Sequence, residues 1–315
     1  MGNDWGAWSR DRIIRHPQDH QKEPVRFVIT PRRHESRGPS PLILLTFVFG
    51  GLISTGTLLL IFPFSNQENG FTPFLDALFT ATSAATLTGL ATQDTASYWT
   101  PMGQAIILAL IFLGGIIFMA MSTFLLMLID QRVSFAQKPL VNEKLGPSQF
   151  GNLWRLTVKI LVVSTIIQLA GFAVLLYRLL NIPEYSSTTA IWQATFHTIS
   201  GFNNAGFVTF KDTDSLSAFQ GDGILLGTIA TLAILGSVSY SVIIDLAKTK
   251  KFSLCTLNTK LVMVITSLLI ITGAFVFFFS EYNNKATLDG LPILNKALIS
   301  VFESISGRTV GFSTI

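Results

Sequence analysis

The sequence predicts an all-α integral membrane protein built from tandem repeats, each with a spanning helix, a re-entrant helix and loop, and a second spanning helix. Hydrophobic residues make up 49% of the chain and charged residues only 13%, against about 25% charged residues in soluble domains. Three polar, glycine-containing stretches separate long apolar segments, and their glycines recur after 117 and 105 residues. These glycines are Gly89, Gly206 and Gly311.

Five apolar segments are long enough to cross a bilayer. The first has 21 residues and would span roughly 31 Å as a helix. Pro41 and Pro63 stand at its two ends, where proline begins or terminates a helix. The predicted spans are residues 42–62, 103–129, 156–179, 223–246 and 261–280.

Three shorter, semi-polar helices are predicted between these spans. Each is too short to cross a membrane, and each leads directly into one of the glycine stretches. This order predicts re-entrant half-helices, followed by loops at membrane depth. The half-helices are residues 72–85, 188–200 and 292–306.

The repeats divide the chain into three units joined by polar linkers. The first two units are complete, and the third is cut after its glycine stretch. The predicted parts are a basic, disordered cytoplasmic tail (1–41), the first unit (42–129), a cytoplasmic linker (130–155), the second unit (156–247), a second cytoplasmic linker (248–260) and the third unit (261–315).

The distribution of basic residues predicts which side of the membrane each loop occupies. With the N-terminus in the cytoplasm, the segments 1–41, 130–159 and 245–260 hold seventeen of the 22 Lys and Arg residues. The segment 63–100, around the first glycine stretch, holds none. Cytoplasmic loops are enriched in Lys and Arg. We therefore expect a multi-pass cell-membrane protein with its three loops on the outer side.

The chemistry of the loops favours a monovalent cation. Backbone carbonyls can replace the hydration shell of an ion, and glycine allows the backbone conformations that align them. A half-helix whose C-terminus points to mid-membrane also directs the negative end of its dipole at the ion. The candidate ion-binding residues contain no carboxylate; they are Thr86, Leu87, Thr88, Gly89, Asn203, Asn204, Ala205, Gly206, Arg308, Thr309, Val310 and Gly311.

The three loop sequences resemble those of one superfamily. ATSAATLTGL, FHTISGFNNAGF and SISGRTVGFST look like the first three pore loops of the Ktr/Trk/HKT potassium transporters. The likeness covers residues 42–315 and is greatest to the Ktr-type pore subunit, because no extra pair of helices precedes the first span. It implies a potassium-channel-like fold of four linked units. Relative to that pattern, the helix after the third loop and the fourth unit are absent, so we expect a truncated chain.

The resemblance also implies a function and partners. The implied function is K⁺ uptake through selectivity-filter carbonyls near Gly89, Gly206 and Gly311, with Na⁺ as a further transported or coupling ion and with no covalent cofactor. The implied partners are membrane lipid, a second copy of the chain in a homodimer, and a cytosolic, nucleotide-binding RCK-type gating subunit. Nucleic acid is not an expected partner, since most of the net charge of +4 lies in the N-terminal tail.

Two charged or titratable side chains near the loops need separate explanations. Arg308 stands beside the third loop, where a positive charge is unfavourable for a cation path. The superfamily that the loops resemble shares this arginine, so the resemblance implies that it points away from the pore and pairs behind the filter, with Glu303 as one candidate partner and the absent C-terminal part as the source of another. His197 lies in the second half-helix, and we expect it to be packed and hydrogen-bonded rather than a proton sensor.

Two other classes of membrane protein remain open at this stage. One is a carrier with discontinuous helices and a midplane solute site, although the repeats run parallel and the spans lack internal carboxylates. The other is a non-conducting fragment or paralogue that acts at most as an interaction protein. An enzyme is not expected, because the sequence has no His-Glu-x-x-His, no Gly-x-Ser-x-Gly and no phosphate-binding loop.

Overall fold

A computed structural model describes residues 41–68, 70–135, 148–211, 215–249, 251–285 and 287–315. The predicted N-terminal tail and part of the first predicted linker therefore lie outside the described residues. The described chain is helical, without a β-strand, as the fold-class prediction requires. Its α-helices are α1 (Pro41–Ile61), α2 (Phe74–Thr86), α3 (Pro101–Phe135), α4 (Ser148–Leu180), α5 (Ser187–Phe202), α6 (Gly223–Ser237), α7 (Tyr240–Lys248), α8 (Leu257–Glu281) and α9 (Ile293–Thr309).

Long apolar helices alternate with the shorter helices that lead into the glycine stretches. By length and composition, three described helical segments can cross a membrane: Pro101–Ser122, Thr157–Leu180 and Leu257–Glu281. A shorter apolar segment, Leu45–Ile61, lies in α1. The short helices α2, α5 and α9, here called the pore helices, have 13, 16 and 17 residues. This alternation reproduces the predicted order of spans and half-helices.

The span predicted over residues 223–246 is not one straight helix. It is divided into α6 and α7, whose axes are bent by 104°, and Val238 and Ser239 between them have extended backbones. The hydroxyl of Ser237 donates to the carbonyl of Ile234 at 2.9 Å. Serine hydroxyls that bond back to helix carbonyls favour bends, as do clusters of glycine and serine. The sequence Gly236-Ser237-Val238-Ser239 therefore interrupts the helix that hydropathy alone predicts as continuous.

The hydrophobic cores join each unit to the next one. One core consists of residues from α1, α2 and α3 together with Phe196, Ala205 and Phe207 of the second unit. The other core unites α4, α5 and α6 with Phe302 and Phe312 of the third unit. Because the aromatic residue that follows each later glycine packs into the preceding unit, neighbouring units hold one another's loops in position.

Glycines in the second spanning helices allow close contact with the pore helices. A Cβ atom added to Gly114 of α3 would collide with the carbonyl oxygen of Ala85, and one added to Gly236 would collide with that of Phe202. Each contacted carbonyl belongs to the residue four positions before Gly89 or Gly206, which with Gly311 are called the filter glycines after their predicted role. An equivalent packing contact, between a spanning helix and the end of a pore helix, therefore occurs within each of the two complete units.

We expect Gly114→Ala to destabilise the folded protein. The added methyl group must displace a backbone carbonyl at the end of α2, and overpacking of this kind costs about 1–3 kcal/mol. The melting temperature of the detergent-purified protein should fall by several degrees. Gly227→Ala in α6 is the matched control, since a Cβ there meets no atom within 4 Å; an equal loss of stability in both variants would contradict the proposed contact.

Candidate functional site

The three filter glycines adopt the backbone conformation that the sequence predicts. Their φ angles are +78° for Gly89, +72° for Gly206 and +82° for Gly311. These values lie in the left-handed region, which costs a residue with a side chain roughly 1–2 kcal/mol. The requirement for glycine is thus confirmed at all three positions, whereas ion binding there remains a prediction.

Each pore helix is closed by a hydrogen bond that spans five residues. The N–H groups of Thr88, Ala205 and Gly311 donate to carbonyls five residues earlier, at 2.9, 2.8 and 3.0 Å. Bonds of this span close the C-terminus of a helix and reverse the chain direction. The three carbonyls belong to serines, which stand six residues before Gly89 and Gly206 but five before Gly311, so the third turn is one residue shorter than the other two. The serines are Ser83, Ser200 and Ser306.

The hydroxyls of the later two serines fix the residue after the filter glycine. Ser200 Oγ donates to the carbonyl of Phe207 at 2.9 Å, and Ser306 Oγ donates to the carbonyl of Phe312. Both phenylalanines are 2% exposed, whereas the corresponding Leu90 of the first unit is 59% exposed. The second and third loops are therefore anchored on both sides, by a hydroxyl and by the core of the preceding unit.

The three loops lie side by side. A Cβ on Gly89 would lie 2.6 Å from the carbonyl oxygen of Ala205, and one on Gly206 would collide with the carbonyl oxygen of Val310. Around Gly311, a Cβ would meet no described atom within 4 Å. The first loop thus adjoins the second and the second adjoins the third, so the loops form an arc with exposed ends at Leu90 and Gly311.

The segment after the second filter glycine is supported by buried side chains. Thr209 donates from its hydroxyl to Gln193 Oε1 at 2.8 Å, and its N–H lies 3.4 Å from His197 Nε2. His197 is buried, approaches the Gln193 carbonyl through Nδ1 and stacks on Phe210 with ring centroids 4.0 Å apart. The prediction of a packed, hydrogen-bonded histidine is confirmed.

In the third loop, a carboxylate supports the segment after the filter glycine. Glu303 Oε1 accepts from the N–H of Thr314 at 2.6 Å and from its hydroxyl at 2.7 Å. Thr209 and Thr314 stand three residues after their glycines and are 1% and 0% exposed. The sequence carries a signal for these supports in its repeated Gly-hydrophobic-x-Thr pattern, but the partners of the threonines follow only from the fold.

The expected position of Arg308 is wrong. Its guanidinium does not pair with Glu303, because that carboxylate is occupied by Thr314; it donates from Nη2 to the hydroxyl of Ser237 at 2.9 Å. Arg308 is exposed and lines a cavity rather than lying behind the loop. The reason is that Arg308 occupies the last turn of α9, on the side that faces the break between α6 and α7.

The cavity lies where the C-terminal ends of all three pore helices meet, and its volume is about 390 Å³. Side chains of α3 and of the break between α6 and α7 form the rest of its wall. Its described lining contains hydroxyl and amide groups but no carboxylate. The residues at the helix ends are Thr86, Leu87, Asn203, Asn204, Arg308 and Thr309.

The twelve candidate residues therefore form two layers. Six of them line the cavity, and the other six form the adjoining loops; the latter are Thr88, Gly89, Ala205, Gly206, Val310 and Gly311. Three helix dipoles end at this cavity, and each contributes partial negative charge equivalent to about half an elementary charge. Within the described residues, no group of three or more His, Cys, Asp or Glu side chains is arranged to hold a metal ion. Any cation here would be held by neutral oxygens and helix dipoles.

Comparison with known proteins identifies the family that has this architecture. Residues 42–315 match the model of the TrkH family, described as cation transport proteins. The chain belongs to the TrkH family. The superfamily suggested by the three loop sequences is therefore confirmed.

Two curated relatives illustrate the similarity within the TrkH family. The chain is 35% identical over 300 residues to the Ktr system potassium uptake protein B of Vibrio alginolyticus, covering 95% of this chain and 64% of that protein. It is 33% identical over 276 residues to the potassium/sodium uptake protein NtpJ of Enterococcus hirae, covering 88% and 60%. The chain thus spans less than two thirds of the length of these relatives.

A solved TrkH-family structure supports the same fold. The crystal structure of the potassium transporter TrkH from Vibrio parahaemolyticus superposes with a TM-score of 0.65, at 14% identity, over 91% of this chain and 54% of that one. The predicted all-α membrane fold with repeated units is thereby confirmed. Apolar helices and membership of this family identify the chain as a membrane protein of a transporter family.

Proposed function

We propose that this chain takes up K⁺ across the cell membrane as the pore-forming subunit of a Ktr/Trk-type system. The observation that carries the proposal is the convergence of three pore-helix C-termini on one cavity, beneath three adjoining loops whose glycines have positive φ. Such ends stabilise a cation at mid-membrane depth. Irregular backbone at that depth is tolerated where it lines a wet cavity. The relatives named for potassium uptake support K⁺ as the substrate.

In this proposal, backbone carbonyls near Gly89, Gly206 and Gly311 coordinate the ion. They replace part of its hydration shell as it leaves the outer solution. The hydroxyl and amide groups of the cavity then contact the rehydrated ion. Na⁺ is a further transported or coupling ion, as the name of the Enterococcus relative suggests for that protein, and no covalent chemistry is required.

The arc of loops defines what a complete pore requires. A closed ring needs one further wall between the exposed Leu90 and the open side of Gly311. We propose that the assembled transporter supplies this wall, that two pore subunits form a homodimer, and that a cytosolic, nucleotide-binding RCK-type subunit gates them. The N-terminus lies in the cytoplasm and the filters face outwards, as the positions of Lys and Arg indicate.

The open arc also favours one alternative, a non-conducting role in which the chain only associates with such subunits. Radiolabelled rubidium uptake in a bacterial host that lacks its own K⁺ uptake systems distinguishes the two. The 315-residue chain is expressed with and without an RCK-type subunit, and its amount in the membrane is measured. We expect saturable uptake above background in at least one condition. Background uptake in both, with the chain stably inserted, would overturn the proposal and leave the non-conducting role.

A further inference from the structure

The break between α6 and α7 forms one wall of the cavity beneath the loops. Ser237, Val238, Ser239 and Tyr240 all line it. Since α7 is bent by 104° from α6, the orientation of this segment decides how much of the cavity is open. The break contains no glycine after Gly236. Asp245 fixes the far end of α7 to the start of α8 by accepting from Thr256 and Thr259, so a bond at Ser237 acts on the end of the segment that borders the cavity.

Arg308 provides a bond of this kind from another unit. Its Nη2 atom donates to Ser237 Oγ at 2.9 Å across 71 positions in the sequence. The Ser237 hydroxyl itself donates to Ile234 within α6 at 2.9 Å, so the arginine continues a short chain of hydrogen bonds from α9 to the C-terminal end of α6. The third pore helix is therefore tied to the broken helix of the second unit.

The positive charge of Arg308 also acts on any cation that enters the cavity. A guanidinium is protonated under all physiological conditions, and the described lining of the cavity has no carboxylate to neutralise it. Among the described residues of the cavity wall, its hydrogen-bond partner is a neutral hydroxyl, that of Ser237. A cation in this cavity therefore meets a full positive charge, opposed by the partial charges of three helix ends.

We propose that Arg308 is a positioning residue that limits cation flow, both by holding the α6–α7 break in place through Ser237 and by raising the electrostatic potential of the cavity. This inference rests on the proposed transport function. When the bond is intact, α7 stays against the cavity and the positive charge opposes a cation. When it is released, the cavity end of the break loses this restraint while Asp245 still holds the far end of α7 to α8, and the guanidinium can leave the ion path.

Three substitutions separate the bond from the charge. Arg308→Gln removes the positive charge and weakens the hydrogen bond to Ser237. Ser237→Ala removes the hydroxyl acceptor and keeps the charge. Arg308→Lys also keeps the charge, but its ammonium group does not reproduce the position of the guanidinium donor. Lys285→Gln is the matched control, because it removes one positive charge from an exposed position outside the cavity. Rubidium uptake should rise severalfold in Arg308→Gln, rise less in Ser237→Ala and in Arg308→Lys, which both keep the charge but lose the bond, and stay near the original rate in Lys285→Gln.

A second measurement reports the solvent accessibility of the α6–α7 break and does not depend on transport. Ser239→Cys is introduced with the single cysteine removed by Cys255→Ser, and its reaction with a small neutral maleimide is followed in lipid nanodiscs. A neutral reagent is used so that the loss of the arginine charge does not change its approach. We expect Arg308→Gln and Ser237→Ala each to accelerate labelling severalfold.

The two assays make failure of the inference distinct from failure of the proposed function. No uptake by the original chain, with or without an RCK-type subunit, would overturn the proposed function, and with it the control of flow. Normal uptake with labelling and flux unchanged in Arg308→Gln would overturn the inference alone. If Arg308→Gln does not fold, unchanged labelling in Ser237→Ala, which leaves α9 intact, overturns it equally.

Discussion

Gly206→Ser should abolish K⁺ selectivity or lower the apparent K⁺ affinity by at least tenfold. Gly206 has a φ of +72°, and an added Cβ would collide with the carbonyl oxygen of Val310 in the next loop. The left-handed conformation costs a serine about 1–2 kcal/mol, and the collision adds to this cost. Displacement of either loop relieves this cost and moves the carbonyls proposed to coordinate the ion; a loss of about 1.4 kcal/mol in that coordination would lower the affinity tenfold.

The measurement is rubidium uptake as a function of competing K⁺ and Na⁺, made in a system in which the unsubstituted protein transports. Gly290→Ser is the matched control, because Gly290 has a φ of +81° but open space around its Cβ position, outside the filters. It introduces comparable backbone strain and should leave selectivity unchanged. Unaltered affinity and selectivity in Gly206→Ser would refute the filter assignment at this position.

Glu303→Ala should also impair selectivity, and it should destabilise the protein. The substitution leaves the buried N–H and hydroxyl of Thr314 without their acceptor. A buried donor without a partner costs roughly 1–3 kcal/mol, so the segment after Gly311 should move. We expect a loss of K⁺ over Na⁺ preference in uptake assays and a fall of several degrees in melting temperature.

Two further variants test whether this role is specific to the filter. Glu303→Gln retains a carbonyl oxygen that can accept from Thr314, so it should restore most of the selectivity. Glu281→Ala is the matched control: Glu281 also accepts two hydrogen bonds, from Asn284 and Thr287, but it lies at the end of α8. A selectivity loss in Glu281→Ala equal to that in Glu303→Ala would show that the effect reflects general stability and not filter support.

Positive φ at the filter glycines and the alternation of long and short helices were predictable from the sequence. Both depend on local physics: hydropathy over about 20 residues selects the spans, and only glycine enters the left-handed region at low cost. The three stretches were also recognisable by their repetition. The hydrogen bonds that hold the loops in place were harder to predict from the sequence. The partners of Thr209 and Thr314 lie on helices, and tertiary packing decides which of their side chains face the loops.

Two features could not have been obtained from sequence patterns. The break at Ser237 to Ser239 was predicted as part of a continuous span, because its mean hydropathy resembles that of an unbroken helix. Arg308 was expected behind the filter, because a charge beside a cation path is unfavourable when only sequence neighbours are considered. Its actual partner is 71 positions away.

The sequence by itself determined the membrane class of this protein, the order of its helices and the three glycines that its loops require, since each depends on composition or on conformational preferences within a few residues. Tertiary structure alone decided that the loops adjoin in an arc, that Phe207 and Phe312 pack into the preceding unit, and that Arg308 faces the cavity. These features depend on contacts between units about a hundred residues apart, and side-chain packing across such distances is not encoded in any local pattern.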